Sequence, residues 1–137
     1  MRVLALDIGE KRVGVAVSSD DASMAFPLCV LASNEVFPPS SKFKRTIEDY
    51  EVDLLLCGLP LTMAGEEGPQ AKRIRAQAEE LARTLNLPLE FADERLSSSE
   101  AKEALYAQGL DAKKQRGKID MIAASLFLRA WLESREN

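Results

Sequence analysis

The stretch Val3-Leu4-Ala5-Leu6-Asp7-Ile8-Gly9-Glu10-Lys11-Arg12-Val13-Gly14-Val15-Ala16-Val17 decides the architecture. Val3 to Ile8 is a short apolar run and reads as a buried strand. Gly9-Glu10-Lys11 supplies a turn, and Val13 to Val17 returns as an antiparallel second strand. The acid that breaks the first run, Asp7, stands at the strand's end. Working outward, Asp20 to Ser23 is polar and turn-like. Phe26 to Leu31 reads as a third strand, and Pro27 places it at an edge or a bulge.

Beyond the hairpin the pattern changes. Pro38-Pro39-Ser40-Ser41 punctuates the chain, with Ser40 or Ser41 as a helix cap and Phe43, Ile47 and Tyr50 at helical spacing. Val52 to Cys57 is a nearly continuous apolar run, the mark of a strand buried on both faces. Met63 to Gly68 is a glycine-punctuated loop, and Pro69 opens a helix carrying Ala71, Ile74, Ala78, Leu81, Ala82 and Leu85 on one face. Leu87 to Ala92 is a fifth strand, ending in Asp93-Glu94. Ser97 and Glu100 form a capping box for a helix closed by Gly109. Asp111 to Lys118 reads as a polar, basic loop. A last helix from about Ile119 is expected to bury Ile122, Ala123, Leu126, Phe127 and Ala130. Strands alternating with helices imply parallel pairing in the second half, and the front hairpin makes the sheet mixed. The expectation is one α/β domain over residues 1–137, a mixed five-stranded sheet with helices on both faces in the element order of an RNase H-like fold.

Composition narrows the chemistry. The chain has 137 residues, 46% hydrophobic and 29% charged, which describes a globular protein rather than a disordered or fibrous one. No apolar run approaches the ~18 residues of a membrane span, and the N-terminus lacks a signal-peptide pattern, so a cytoplasmic location is expected. Cys29 and Cys57 sit in apolar runs and read as buried thiols. There is no histidine, which removes imidazole bases and His-ligated zinc together. A metal here would be hard and oxygen-bound, Mg²⁺ or Mn²⁺. The net charge of −4 argues mildly against nucleic acid. The basic run Lys113-Lys114-Gln115-Arg116-Gly117-Lys118 offsets it locally, because it directly precedes an acid.

Three acids carry the chemistry. Asp7 closes a central strand, where an α/β sheet opens its cleft, although an Asp beside Gly9 also suits a plain turn. Lys11 and Arg12 follow it, placed to pair with an acid or to hold phosphate. Asp93-Glu94-Arg95 ends the last strand. Neighbours there point to opposite faces, so one of the two acids reaches a shared site. Arg95 could pair with either. Asp120 opens the final helix, where Asp also complements the dipole, and shares its face with Ala123, Ala124 and Phe127. Phosphodiester cleavage often uses two ions roughly 3.5–4 Å apart, bracketed by carboxylates from separate elements. Converging carboxylates would repel, raising at least one pKa. Gly58-Leu59-Pro60 ends the fourth strand at the same edge, and the loop after it leads to a helix N-terminus able to accept phosphate.

These residues resemble the YqgF family, also called RuvX, pre-16S rRNA nucleases related in fold to RuvC Holliday junction resolvases. Four blocks carry the resemblance: Asp7-Ile8-Gly9-Glu10-Lys11-Arg12-Val13-Gly14-Val15-Ala16; Gly58-Leu59-Pro60-Leu61 with Gly65 and Gly68; Asp93-Glu94-Arg95-Leu96-Ser97-Ser98 with Glu100-Ala101; and Lys118-Ile119-Asp120 with Ala123-Ala124. The resemblance implies a hydrolase, a divalent-metal-dependent phosphodiesterase maturing the 5′ end of ribosomal RNA. It assigns Asp7, Glu94 and Asp120 as catalytic and metal-ligating, with Asp93 the alternative for the middle role. Lys11, Arg12, Arg95, Lys113, Lys114, Arg116 and Lys118 are the candidate nucleic-acid contacts. Similar proteins often have Asn and Asp where this chain has Thr62 and Ala64, which puts a polar role of that loop in doubt. The expected partner is structured RNA or branched DNA, with the protein a monomer or weak homodimer. Cleavage of branched DNA and a non-catalytic RNA-binding role in ribosome assembly are the competing readings.

Overall fold

The computed structural model describes residues 1–94 and 112–135, with side chains from 118 onward in the second stretch. Its elements are β1 (Val3–Ile8), β2 (Arg12–Ser18), β3 (Ala25–Ala32), α1 (Ser33–Val36), α2 (Ser41–Asp49), β4 (Leu54–Leu59), α3 (Pro69–Leu85), β5 (Leu89–Asp93) and α4 (Ala112–Arg135). The strands form one mixed sheet in the order β3-β2-β1-β4-β5. β1 pairs antiparallel with β2 and parallel with β4, and β4 pairs parallel with β5. The expected mixed five-stranded α/β sheet is therefore observed. Pro27 lies on edge strand β3, where the register against β2 slips between Val15 and Ala16. A residue with no N–H is tolerated there.

Alternation along the strands builds two cores. Leu4, Leu6, Val13, Val15, Leu55 and Cys57 face α2 and α3. Val3, Ala5, Ala16, Leu54 and Leu56 face α4, against Ala124, Phe127, Leu128 and Leu132. Burying each large side chain contributes about 1.5–3 kcal/mol. Ser40 caps α2 by accepting from the Phe43 N–H at 3.1 Å, as its position suggested. Asn86 ends α3 in the left-handed conformation (φ 55°), a conformation Asn tolerates better than most residues.

Several boundaries depart from expectation. The polar stretch before Ile119 is not a loop: α4 already begins at Ala112. Lys, Gln and Arg are good helix formers, and a single Gly117 costs only about 1 kcal/mol. The buried stripe of α4 is also rotated. Ala130 is exposed and Ile122 and Leu126 are half-buried, whereas Ala124, Leu128 and Leu132 are buried. β4 starts at Leu54 rather than Val52, whose N–H is still held by the Ile47 carbonyl of α2 at 3.1 Å. The short α1 was not anticipated. Cys57 is buried and Cys29 only half-buried, and both are free thiols. The expected helix from Ser97 to Gly109, and Arg95, lie outside the described residues.

Candidate active site at the carboxyl edge of the sheet

Parallel pairing brings the ends of β1, β4 and β5 to one edge, with Leu59 in register with Asp93. β2 enters from that edge, and its Gly14 stands directly opposite Asp7. Strand parity then assigns faces. Asp7 follows Val3 and Ala5 onto the α4 side. Leu89 and Phe91 pack towards α3, whereas Ala92 packs towards α4. Glu94 continues the parity of Ala92, and Asp93 has the opposite one. The acid that meets Asp7 is accordingly Glu94.

Two glycines make the approach close enough. A Cβ at Gly14 would overlap the backbone of Asp120 and Met121. A Cβ at Gly58 would lie 2.8 Å from the Phe127 ring and 3.4 Å from Glu94 Oε2. Lacking side chains at both positions, the sheet lets α4 lie flat upon β2 and lets the Glu94 carboxylate fold over β4. Asp120 is thereby set beside Asp7. The small face of Ala123, Ala124 and Phe127 works as the sequence suggested.

Electrostatics follow from this crowding. Burial pushes the Asp7 carboxyl up to about 8, reinforced by the charge of Glu94, a hydrogen bond with it, and the charge of Asp120. Glu94 is also raised, chiefly by burial; its hydrogen bond with Asp7 opposes the rise, while Asp120 and Asp93 add to it. Asp7 therefore carries the proton and donates it to Glu94 at neutral pH. Asp120 is raised by burial and partly offset by Arg12, whose Nε lies 3.3 Å from Asp120 Oδ2. Among the described residues no three acidic side chains already surround one point at metal-ligand spacing. The donor set nevertheless suits a hard dication. It consists of carboxylate oxygens, and two of them are near enough to share a proton that such a cation would replace.

The candidate contacts distribute unevenly. Lys11 and Arg12 line an open cavity of about 570 Å³ with Gly9, Glu10 and Asp120. Lys118 is exposed on α4, two residues before Asp120. Positions 113, 114 and 116 fall within the first turns of α4, whose side chains are described only from 118. Thr62 serves its own loop: its hydroxyl accepts from the Glu66 N–H at 3.1 Å and its N–H donates to the Glu66 carbonyl at 2.8 Å. Sequence reasoning missed the role of α3. Arg73 reaches Glu10 at 3.8 Å. Arg75 holds Glu67 through two 2.8 Å hydrogen bonds and lies 4.4 Å over the Phe91 ring. A pair eight residues apart across a helix start follows no local spacing rule, so only the run Lys72-Arg73-x-Arg75 after the glycine loop could have signalled it.

A sheet with this topology and a carboxylate edge defines an RNase H-like protein. The chain belongs to the RuvX family, whose model, described as Holliday junction resolvase, matches residues 1–134. A relative from Anaeromyxobacter sp. (strain Fw109-5), named "Putative pre-16S rRNA nuclease", is 42% identical over 135 residues, covering 98% of each chain. Relatives of the same name from Chloroflexus aurantiacus and Gloeothece citriformis are 39% and 40% identical, covering 98% of this chain and 88% and 89% of their own. Among solved structures, T. thermophilus RuvC in complex with Holliday junction substrate matches with a TM-score of 0.59 at 13% identity, covering 100% of this chain and 97% of that one. A Fowlpox virus resolvase bound to Holliday junction DNA matches at 0.57 and 15%, covering 100% of both. At such identities the likeness is one of fold.

Proposed function

We propose that this chain is a divalent-metal-dependent phosphodiesterase acting in the 5′-end processing of pre-16S rRNA. The observation that carries the reading is the convergence of Asp7, Glu94 and Asp120 at one edge, with Asp7 and Glu94 bound through a shared proton. The names of relatives at about 40% identity supply the substrate. Mg²⁺ or Mn²⁺, when held by these acids, would activate water for attack and neutralise the charge that builds on the phosphate oxygens. The residues do the rest. Asp7 gives up its proton and, with Glu94 and Asp120, offers oxygen ligands from three separate elements. Lys11 and Arg12 line the cavity beside them and hold the substrate phosphate, and Lys118 extends the positive rim along α4. Free thiols among the described residues, and the absence there of any helix long and apolar enough to cross a membrane, are compatible with the cytoplasm.

A second reading, cleavage of branched DNA, draws on the family's description. An enzyme that cuts symmetric junctions acts as a pair, so a chain that sediments as a monomer favours RNA. The deciding experiment offers a labelled rRNA precursor and a four-way DNA junction to the protein with Mg²⁺ or Mn²⁺, alongside Asp7→Asn and Asp120→Asn. Precursor cleavage lost in both variants is the expected result. Unchanged cleavage in both would overturn the acid site.

A further inference from the structure

We propose that Arg12 competes with a divalent cation for Asp120, and that the guanidinium displaced in that competition takes a substrate phosphate. The inference rests on the acid-site reading above and adds its control. Arg12 is the first residue of β2, and its ion pair with Asp120 bridges the sheet to α4 at 3.3 Å. Glu10, the other acid lining that cavity, faces Arg73 from α3 at 3.8 Å. The cavity is thus set between two ion pairs, and Asp120 is the member that belongs to the acid cluster. The Asp120 carboxylate cannot serve a metal and Arg12 equally well. With side chains 51% and 26% exposed, the pair is solvent-screened and weak, so exchange is easy. A planar guanidinium matches carboxylate and phosphate alike, and the open cavity of about 570 Å³ has room for a phosphate group beside Arg12 and Lys11. Arrival of the cation and capture of the phosphate become linked through one side chain.

Mn²⁺ titrated calorimetrically into the protein without nucleic acid tests the first half. Arg12→Gln is expected to bind Mn²⁺ roughly two- to fivefold tighter than wild type, and Arg12→Lys to stay near wild type. Equal or weaker binding by Arg12→Gln overturns the proposal. Asp7→Asn separates this from the underlying reading. If that variant still binds Mn²⁺ normally, the acid site itself fails and the proposal with it. If it loses Mn²⁺ while Arg12→Gln matches wild type, only the competition fails. The second half is read from RNA binding in EDTA, where nothing is cut. Arg12→Gln should weaken binding of a labelled RNA several-fold more in an Asp120→Asn background, where the guanidinium is released, than in wild type. An equal effect in both backgrounds overturns the exchange.

Discussion

Two acidic segments of this chain use aspartate in opposite ways. At the turn after β2, Asp21 accepts from the Ser19 and Ser23 hydroxyls at 2.7 and 2.6 Å and from the Ser23 N–H at 3.0 Å. Those donors hold its carboxyl down at about 2. At the end of β1, Asp7 is half-buried among other acids and stands at about 8. Asp21 is a carboxylate satisfied by its own turn, and it stabilises that turn by remaining charged. Asp7 is a carboxylate brought near its like, and it lowers stability whenever it ionises. Asp21 is met by hydrogen-bond donors, whereas Asp7 is met by the carboxyl groups of Glu94 and Asp120. Such a cost is what the proposed cation site would offset, by supplying the positive charge that the fold does not.

The sharpest break of this contrast lies in catalysis. Glu94→Gln is expected to reduce nuclease turnover about 1,000-fold, through the several kcal/mol of transition-state stabilisation at stake. Asp93→Asn, on the other strand face, should stay within roughly threefold. Single-turnover cleavage rates distinguish the two. Equal losses would move the site to the rim.

Gly14→Ala comes next. Its methyl group meets the backbone of Asp120 and Met121, which cannot rotate away. Urea unfolding should show a loss of about 3 kcal/mol, with Mn²⁺ binding reduced as α4 lifts Asp120 from Asp7.

Asp7→Asn should work in the other direction and stabilise the protein. Because the carboxyl rises from 3.8 to about 8 on folding, the folded state binds the extra proton. That contribution is complete below about pH 4 and is lost as pH climbs through about 8. The variant should exceed wild type by about 1–3 kcal/mol at pH 8 and converge with it near pH 4, read from urea midpoints. A gap that widens at low pH would contradict the assignment.

The smallest effect belongs to Asp21→Asn, with the opposite sign. Its folded pKa is depressed, so its contribution is present above about pH 4 and fades as pH falls through about 2. A slight drop in melting temperature at pH 7, absent at pH 2, is expected.

Much of this was legible beforehand because it is local. The Val3–Ile8 strand, the Pro27 edge, the Ser40 cap and the Pro69 helix start each follow from a few adjacent residues. Alternation also limited Asp93 and Glu94 to one partner for Asp7. It could not say which, because the choice depends on the phase in which β5 pairs with β4. The start of α4 was misjudged for a related reason. A charged run carries no periodic signal, and helix propensity there acts without an apolar stripe. The ties of Arg73 to Glu10 and Arg75 to Glu67 join separate elements and leave no pattern in the chain.

By itself, then, the sequence determined most of the elements, excluded imidazole from the chemistry, and set Asp7 and Glu94 at strand ends. Asp120, expected to open the last helix, lies instead about two turns inside α4, which begins at Ala112. Strand pairing and the docking of α4 determined the rest. They placed Glu94 rather than Asp93 against Asp7, pressed Asp120 onto Gly14, and gave Arg12 a carboxylate to hold. Pairing phase and helix rotation depend on contacts between distant residues. Burial, which sets the protonation of Asp7, exists only once those contacts have formed.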